Sequence, residues 1–195
     1  MERPRANKIR RGVTLASLMV AVALISYAVV AAVDRHPVAS GPAASTTLRT
    51  GSVAPTSYLL AVLGHDSTER LAALVHHRPT VINFFASWCA VCQTELNAFG
   101  AFSRATSKRI SIVGIDTNDH DPGWAERLLA GAHVRYPVLQ DNADLSVALA
   151  YGIADLPVTF FISSNGRVQS ETLGGLTLAE LNSKATALLA ASPTP

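Results

Sequence analysis

The feature that most constrains this chain is a pair of cysteines, Cys89 and Cys92, set directly after a buried-looking apolar run. They are the only cysteines in 195 residues, so every thiol sits at one local site. Pro79–Ala86 (PTVINFFA) is almost continuously apolar, as expected of a strand covered on both faces of a sheet. From Cys89 to about Thr106, Leu96, Phe99 and Phe102 recur at spacings of three, which predicts a helix starting at the first cysteine. A helix N-terminus offers unpaired N–H groups and the positive end of its dipole, and both favour a thiolate over a thiol. The i,i+3 spacing places the second sulfur beside the first. One thiolate can attack a partner disulfide, and the neighbouring thiol can resolve the mixed disulfide.

The same Cys-x-x-Cys spacing serves other chemistries, which the rest of the sequence weighs against. Structural zinc wants two further ligands, and the six histidines are scattered apart from the adjacent His76-His77. Covalent haem attachment wants His directly after the second cysteine, where this chain has Gln93. Neither a metal nor a cofactor is expected. A copper-handling protein is the alternative reading, because soft thiolates hold Cu(I), but Met1 and Met19 are the only methionines and no His-rich tract accompanies them.

The formal charge of +2 hides an asymmetry. Arg3, Arg5, Lys8, Arg10 and Arg11 face one acid, Glu2, within residues 1–11, while the remainder is slightly acidic. No basic field is left on the body to attract nucleic acid. Residues 12–33 then run without a charge, long enough for a helix to cross a hydrocarbon core of about 30 Å. The basic arm predicts a single-pass cell-membrane anchor with everything after Val33 on the extracytoplasmic side. A cleaved signal peptide ending near Val30-Ala31-Ala32 is the competing reading, and it leads to the same compartment.

Residues 34–50 are rich in Ala, Ser, Thr and Pro and read as a flexible linker. The folded domain is expected over 51–190, with a tail at 191–195. Within it, apolar runs predict strands at Ile110–Asp116 and Tyr136–Leu139, with helices at Pro122–Ala130 (capped by Asp121) and Asp144–Ala150 (closed by Gly152). Val158–Ser163 and Arg167–Thr172 flank Ser164-Asn165-Gly166, a hairpin signal. Thr177–Leu189 predicts a last helix with Leu178, Leu181, Leu188 and Leu189 on its apolar positions. The pattern predicts an α/β domain with a mixed sheet flanked by helices.

Phe85-Ala86-Ser87-Trp88-Cys89-x-x-Cys92 resembles the active-site signature of thioredoxins, and most of all the TlpA/ResA branch of membrane-tethered, extracytoplasmic members. It is also similar to the secreted Dsb-like members of actinobacteria. Gly51-Ser52-Val53-Ala54-Pro55, Tyr136–Asp141 and Tyr151–Ile162 resemble further blocks of that branch, in the same order. The resemblance implies a thioredoxin-like fold and a thiol:disulfide oxidoreductase acting on extracytoplasmic protein thiols and disulfides, with a membrane thiol-redox partner. It implies Cys89 as the exposed nucleophile, Cys92 as the resolving thiol and Pro157 as a cis-proline facing them. The backbone of Leu156 would pair with the substrate segment, while Trp88 is expected to pack beside the site and shield it or to contact the substrate. Both directions stay open: a reductant serving cytochrome c maturation or disulfide repair, or an oxidant of secreted proteins. A peroxiredoxin-type peroxidase would want Thr-x-x-Cys, which Ala86-Ser87-Trp88-Cys89 does not supply.

The chain departs from classical thioredoxins at Asn83, where those hold a buried acid; here it is expected as a satisfied core polar group. Glu95, one helical turn after Cys92, could relay protons but is expected on a solvated helix face; Trp124 is expected in the core, and His120 in a solvated loop that could border the site.

Overall fold

The computed structural model describes residues 48–75, 78–106 and 108–191. The expected basic arm, membrane span, most of the linker, His76-His77 and the last four residues lie outside the described residues. Among the described residues, no helix is long and apolar enough to cross a membrane.

Seven strands form one mixed sheet: β1 (Leu59–Val62), β2 (Thr68–Arg70), β3 (Thr80–Phe85), β4 (Ser111–Asp116), β5 (Val138–Gln140), β6 (Val158–Ile162) and β7 (Val168–Leu173). Their spatial order is β2-β1-β5-β4-β3-β6-β7. β3, β4 and β5 run parallel, while β6, β7, β1 and β2 join antiparallel. Among the described residues, five helices pack on the sheet: α1 (Leu71–Val75), α2 (Ala90–Thr106), α3 (Pro122–Gly131), α4 (Ser146–Tyr151) and α5 (Leu178–Ala191).

Alternation along the central strands divides the core. Ile82 and Phe84 of β3 and Val113 and Ile115 of β4 face α1 and α4, against Leu71, Val75, Val147 and Tyr151. Val81 and Ile112 face α2 and α5, against Phe99, Phe102, Leu181 and Leu188. Phe85 faces the start of α2 and α3, in a third cluster with Cys89, Cys92, Leu96, Ala125 and Leu129. All six residues of β3 are buried, which accounts for the apolar run in the sequence.

Several expected boundaries move, for local reasons. β5 starts at Val138 because Pro137 has no N–H for the ladder, although its carbonyl accepts from Gly114 N–H at 3.0 Å. α4 starts at Ser146 because Leu145 sits in the left-handed region at φ 55°, while the Asp141 carboxylate caps the N–H groups of Val147 and Ala148 at 3.0 and 2.9 Å. On α5, Leu178 is 39% exposed, and Leu181, Ala185 and Leu188 form the buried stripe instead.

The chain enters the domain beside β7. Gly51 N–H donates to Val168 O at 2.7 Å, Val168 N–H to Ser52 O at 2.9 Å and Ala54 N–H to Gly166 O at 2.9 Å. Ile162, the partner of Val168, pairs with Thr80 at the start of β3, so this attachment lies at the sheet end opposite Phe85 and the cysteines.

Candidate active site

β3 ends at Phe85, and the chain turns through Ala86-Ser87-Trp88 before α2 begins at Ala90. Cys89 stands just ahead of the helix, with its carbonyl accepting from Gln93 N–H at 3.1 Å and its Sγ accepting from Cys92 N–H at 3.2 Å. A helix-end N–H aimed at this sulfur is the geometry that favours a thiolate there. Cys89 and Cys92 are joined in a disulfide, 7% and 0% exposed. The pair expected from sequence is therefore brought together, with Cys89 the more accessible sulfur.

Loop 117–121, which follows β4, holds the turn from one side. Thr117 N–H donates to Phe85 O at 3.0 Å, and the Trp88 indole N–H to Asn118 O at 2.9 Å. Asp119 Oδ2 accepts from Ser87 N–H at 2.5 Å. From within, Gln93 Nε2–H donates to Ser87 O at 2.7 Å. Trp88 keeps half its surface exposed beside Cys89, and Val91 is equally exposed on the first turn of α2. The Leu156–Pro157 peptide bond is cis, and Leu156 packs against the cluster that holds both cysteines. Pro157 O accepts from Gly174 N–H at 2.9 Å. The next residue, Gly175, lies so close that a Cβ there would stand 2.9 Å from Val91 Cγ1.

Glu95 corrects the sequence reading. It is 3% exposed, not on a solvated face. Its Oε1 accepts from Asn83 Nδ2–H at 2.9 Å and its Oε2 from Leu176 N–H at 3.0 Å. Asn83 Nδ2 also donates to Thr159 Oγ1 at 3.2 Å, while Asn83 Oδ1 is left without a partner. Burial pushes Glu95 up to about 7, against the two hydrogen bonds that pull it down. One turn after Cys92, it is a buried acid poised to exchange a proton near neutral pH. Trp124 is a second correction: in the first turn of α3 it is 47% exposed and outside the core. His120 is exposed, as expected.

Two further acids escaped the sequence reading. Asp116, the last residue of β4, shares the sheet face of Phe85 and is 1% exposed, with no donor hydrogen-bonded to either carboxyl oxygen. Burial, then the charge of Asp119 and the hydrogen bond that the protonated Asp116 carboxyl gives it, push Asp116 up to about 8. Asp119 is desolvated too, but the side chain and backbone of Ser87, the Asp121 N–H and Asp116 hold it below the usual carboxylate range. A polar residue closing an apolar strand at the active-site end was the available signal for Asp116. Among the described residues, no cation is hydrogen-bonded or ion-paired to Glu95, Asp116 or Asp119.

Known proteins place this geometry. The chain is 31% identical over 150 residues to the thiol:disulfide interchange protein HelX of Rhodobacter capsulatus, covering 76% of this chain and 82% of that protein. It is 26% identical over 137 residues to the thiol-disulfide oxidoreductase ResA of Geobacillus kaustophilus, covering 70% and 76%. The solved structure of MTB dsbF, in mixed oxidized and reduced forms, matches with a TM-score of 0.61 at 26% identity, covering 70% of this chain and 99% of that one. The expected thioredoxin-like fold is the fold observed. Residues 51–171, more than half of the chain, match the AhpC/TSA model, and the chain belongs to the AhpC/TSA family.

Proposed function

We propose that this thiol:disulfide oxidoreductase reduces disulfides of extracytoplasmic proteins, with Cys89 as nucleophile and Cys92 as resolving thiol. The observation that carries the direction is the charge around the pair: Asp119 is held ionised on the Ser87 N–H, Glu95 is a buried acid one turn after Cys92, and no described cation is bonded to either. A carboxylate near a sulfur disfavours its thiolate and so withholds the thiolate's stabilisation of the reduced pair. A destabilised dithiol is a better electron donor, the reverse of the stabilised dithiol that makes a strong oxidant.

The steps balance within the chain's own groups. The Cys89 thiolate attacks one sulfur of a substrate disulfide; a Cys89–substrate S–S bond forms and the other substrate sulfur leaves as a thiolate. The Cys92 thiol passes its proton to the Glu95 carboxylate and attacks the Cys89 sulfur. The Cys89–Cys92 disulfide forms, the second substrate sulfur leaves, and two electrons have passed to the substrate. Trp88, Val91 and the Leu156–Pro157 segment form the surface around Cys89 where an extended substrate segment docks. A membrane thiol-redox partner resupplies electrons, and residues 12–33 anchor the domain on the extracytoplasmic side. Apocytochrome c with its paired cysteines is one substrate that suits such a reductant.

The reduction potential tests this reading. Equilibration of the full chain with dithiothreitol or glutathione buffers should give a value near or below about −250 mV, close to thioredoxin's roughly −270 mV. A value between about −120 and −180 mV, the range of disulfide-forming proteins and isomerases, would overturn the reductive direction.

A further inference from the structure

We propose that Asp119, bonded to the Ser87 N–H and seated against the buried carboxyl of Asp116, is a positioning residue: the two acids together clamp the turn that carries Cys89 and set how readily the Cys89–Cys92 disulfide is reduced. The inference rests on the disulfide-exchange reading and assigns that site two residues on which its chemistry does not directly run.

The geometry is a three-point clamp. Over Phe85–Trp88, loop 117–119 contributes the Thr117 N–H to Phe85 O, Asn118 O to the Trp88 indole, and the Asp119 carboxylate to Ser87 N–H. Asn118 is held in the left-handed region at φ 53°, which turns its carbonyl and the next carboxylate toward the same short stretch. The Asp119 Oδ1 accepts from Asp121 N–H at 3.1 Å, so both oxygens of this carboxylate are engaged. Beneath it, Asp116 is a buried acid with no bonded cation among the described residues. Such a group keeps its proton and points it at its charged neighbour, which is how one carboxyl of a pair stays neutral while the other stays ionised.

The surroundings leave Asp119 as the charge that governs Asp116. Beyond β5, Asp141 is engaged with Thr117 Oγ1 and the start of α4. On α2, Glu95 is engaged with Asn83 and Leu176. At the start of α3, Asp121 and Arg127 lie 3.8 Å apart on the exposed side, and His120 is exposed in the loop. The turn itself contributes only the disulfide. When Asp116 loses its proton, two anions face each other beneath Ser87 and the Asp119 end of the clamp is pushed out. Burial and the Asp119 charge place that event near pH 8.

Trp88 reports on the clamp. The full chain is compared in a W124F/H120Q background, which leaves one tryptophan and removes the loop histidine, and it is kept oxidised so that neither cysteine titrates. Its emission should show one transition near pH 8, absent in D116N, moved to lower pH in D119N and kept in E95Q. If D116N does not fold, the D119N displacement decides. Against glutathione at pH 7, D119A should shift the equilibrium toward the dithiol by on the order of fivefold, the effect of removing one nearby charge. A transition that survives in D116N or stays put in D119N, a parent without a transition, or a D119A equilibrium equal to the parent's would overturn the proposal. A parent that exchanges no thiols would sink the oxidoreductase reading, while the emission arm would still decide the clamp.

Discussion

The Nδ2–H of Asn83, in the middle of β3, reaches across to Oε1 of Glu95 on α2 at 2.9 Å, so a neutral amide steadies a buried acid beside the redox pair. Asn83→Asp replaces that donor with a second acid. The variant should lose about 3 kcal/mol of stability at pH 8 and much less at pH 5, where the two carboxyls hold protons. Urea unfolding at the two pH values checks this.

Glu95→Gln keeps the shape and removes the proton acceptor. In the parent, the resolving step should speed up as pH rises through about 7, where Glu95 becomes a carboxylate. In E95Q that rise should vanish, and the rate above pH 7 should fall by on the order of 100-fold. Stopped-flow release of a fluorescent mixed disulfide measures it.

Stability itself should depend on pH with a definite sign. Glu95 is raised from 4.5 to about 7 and Asp116 from 3.8 to about 8 in the folded protein. Their contribution is fully present below the unfolded values and is lost as pH rises through 7 and 8. The shift of Glu95 alone corresponds to on the order of 3 kcal/mol. The urea midpoint of the oxidised protein should be higher at pH 5 than at pH 9, and E95Q and D116N should each flatten the slope.

Gly100 lets α2 approach the end of α3: a Cβ there would stand 2.3 Å from the Ala132 carbonyl oxygen. A backbone atom cannot swing aside as a side-chain tip does. Gly100→Ala should therefore cost about 2 kcal/mol or more by thermal or urea unfolding, despite alanine's better helix propensity.

Cys92→Ser should stop the reaction at the first exchange. A Cys89-linked mixed disulfide with substrate should accumulate and appear on non-reducing gels, while Cys89→Ser should form none.

Much of this domain is legible in its sequence where long segments repeat one signal. β3 is six buried residues in a row, and α2 carries Leu96, Phe99 and Phe102 on one stripe, so the strand, the helix and the cysteines between them follow directly. The Asp121 cap, the Gly152 helix stop and the Asn165-Gly166 turn are equally local. β1 and β2, four and three residues long and mostly exposed or half-exposed, carry too little pattern to be read. Glu95 misleads for another reason. Its partners are 12 residues before it and 81 after it, so its burial is satisfied only by the finished fold. Trp124 errs in the opposite sense: an apolar side chain in a first helical turn points past the core. The Asp116–Asp119 pair needed the bend at Asn118, which sequence spacing does not display.

The seam between Gly51–Ala54 and the start of β7 gives the domain a handle at the pole away from its sulfurs. A bead, an electrode or a fused partner attached ahead of Gly51 would grip the molecule from behind and leave Cys89 facing the solution, so orientation on a support can be set by one terminus without engineering the working end.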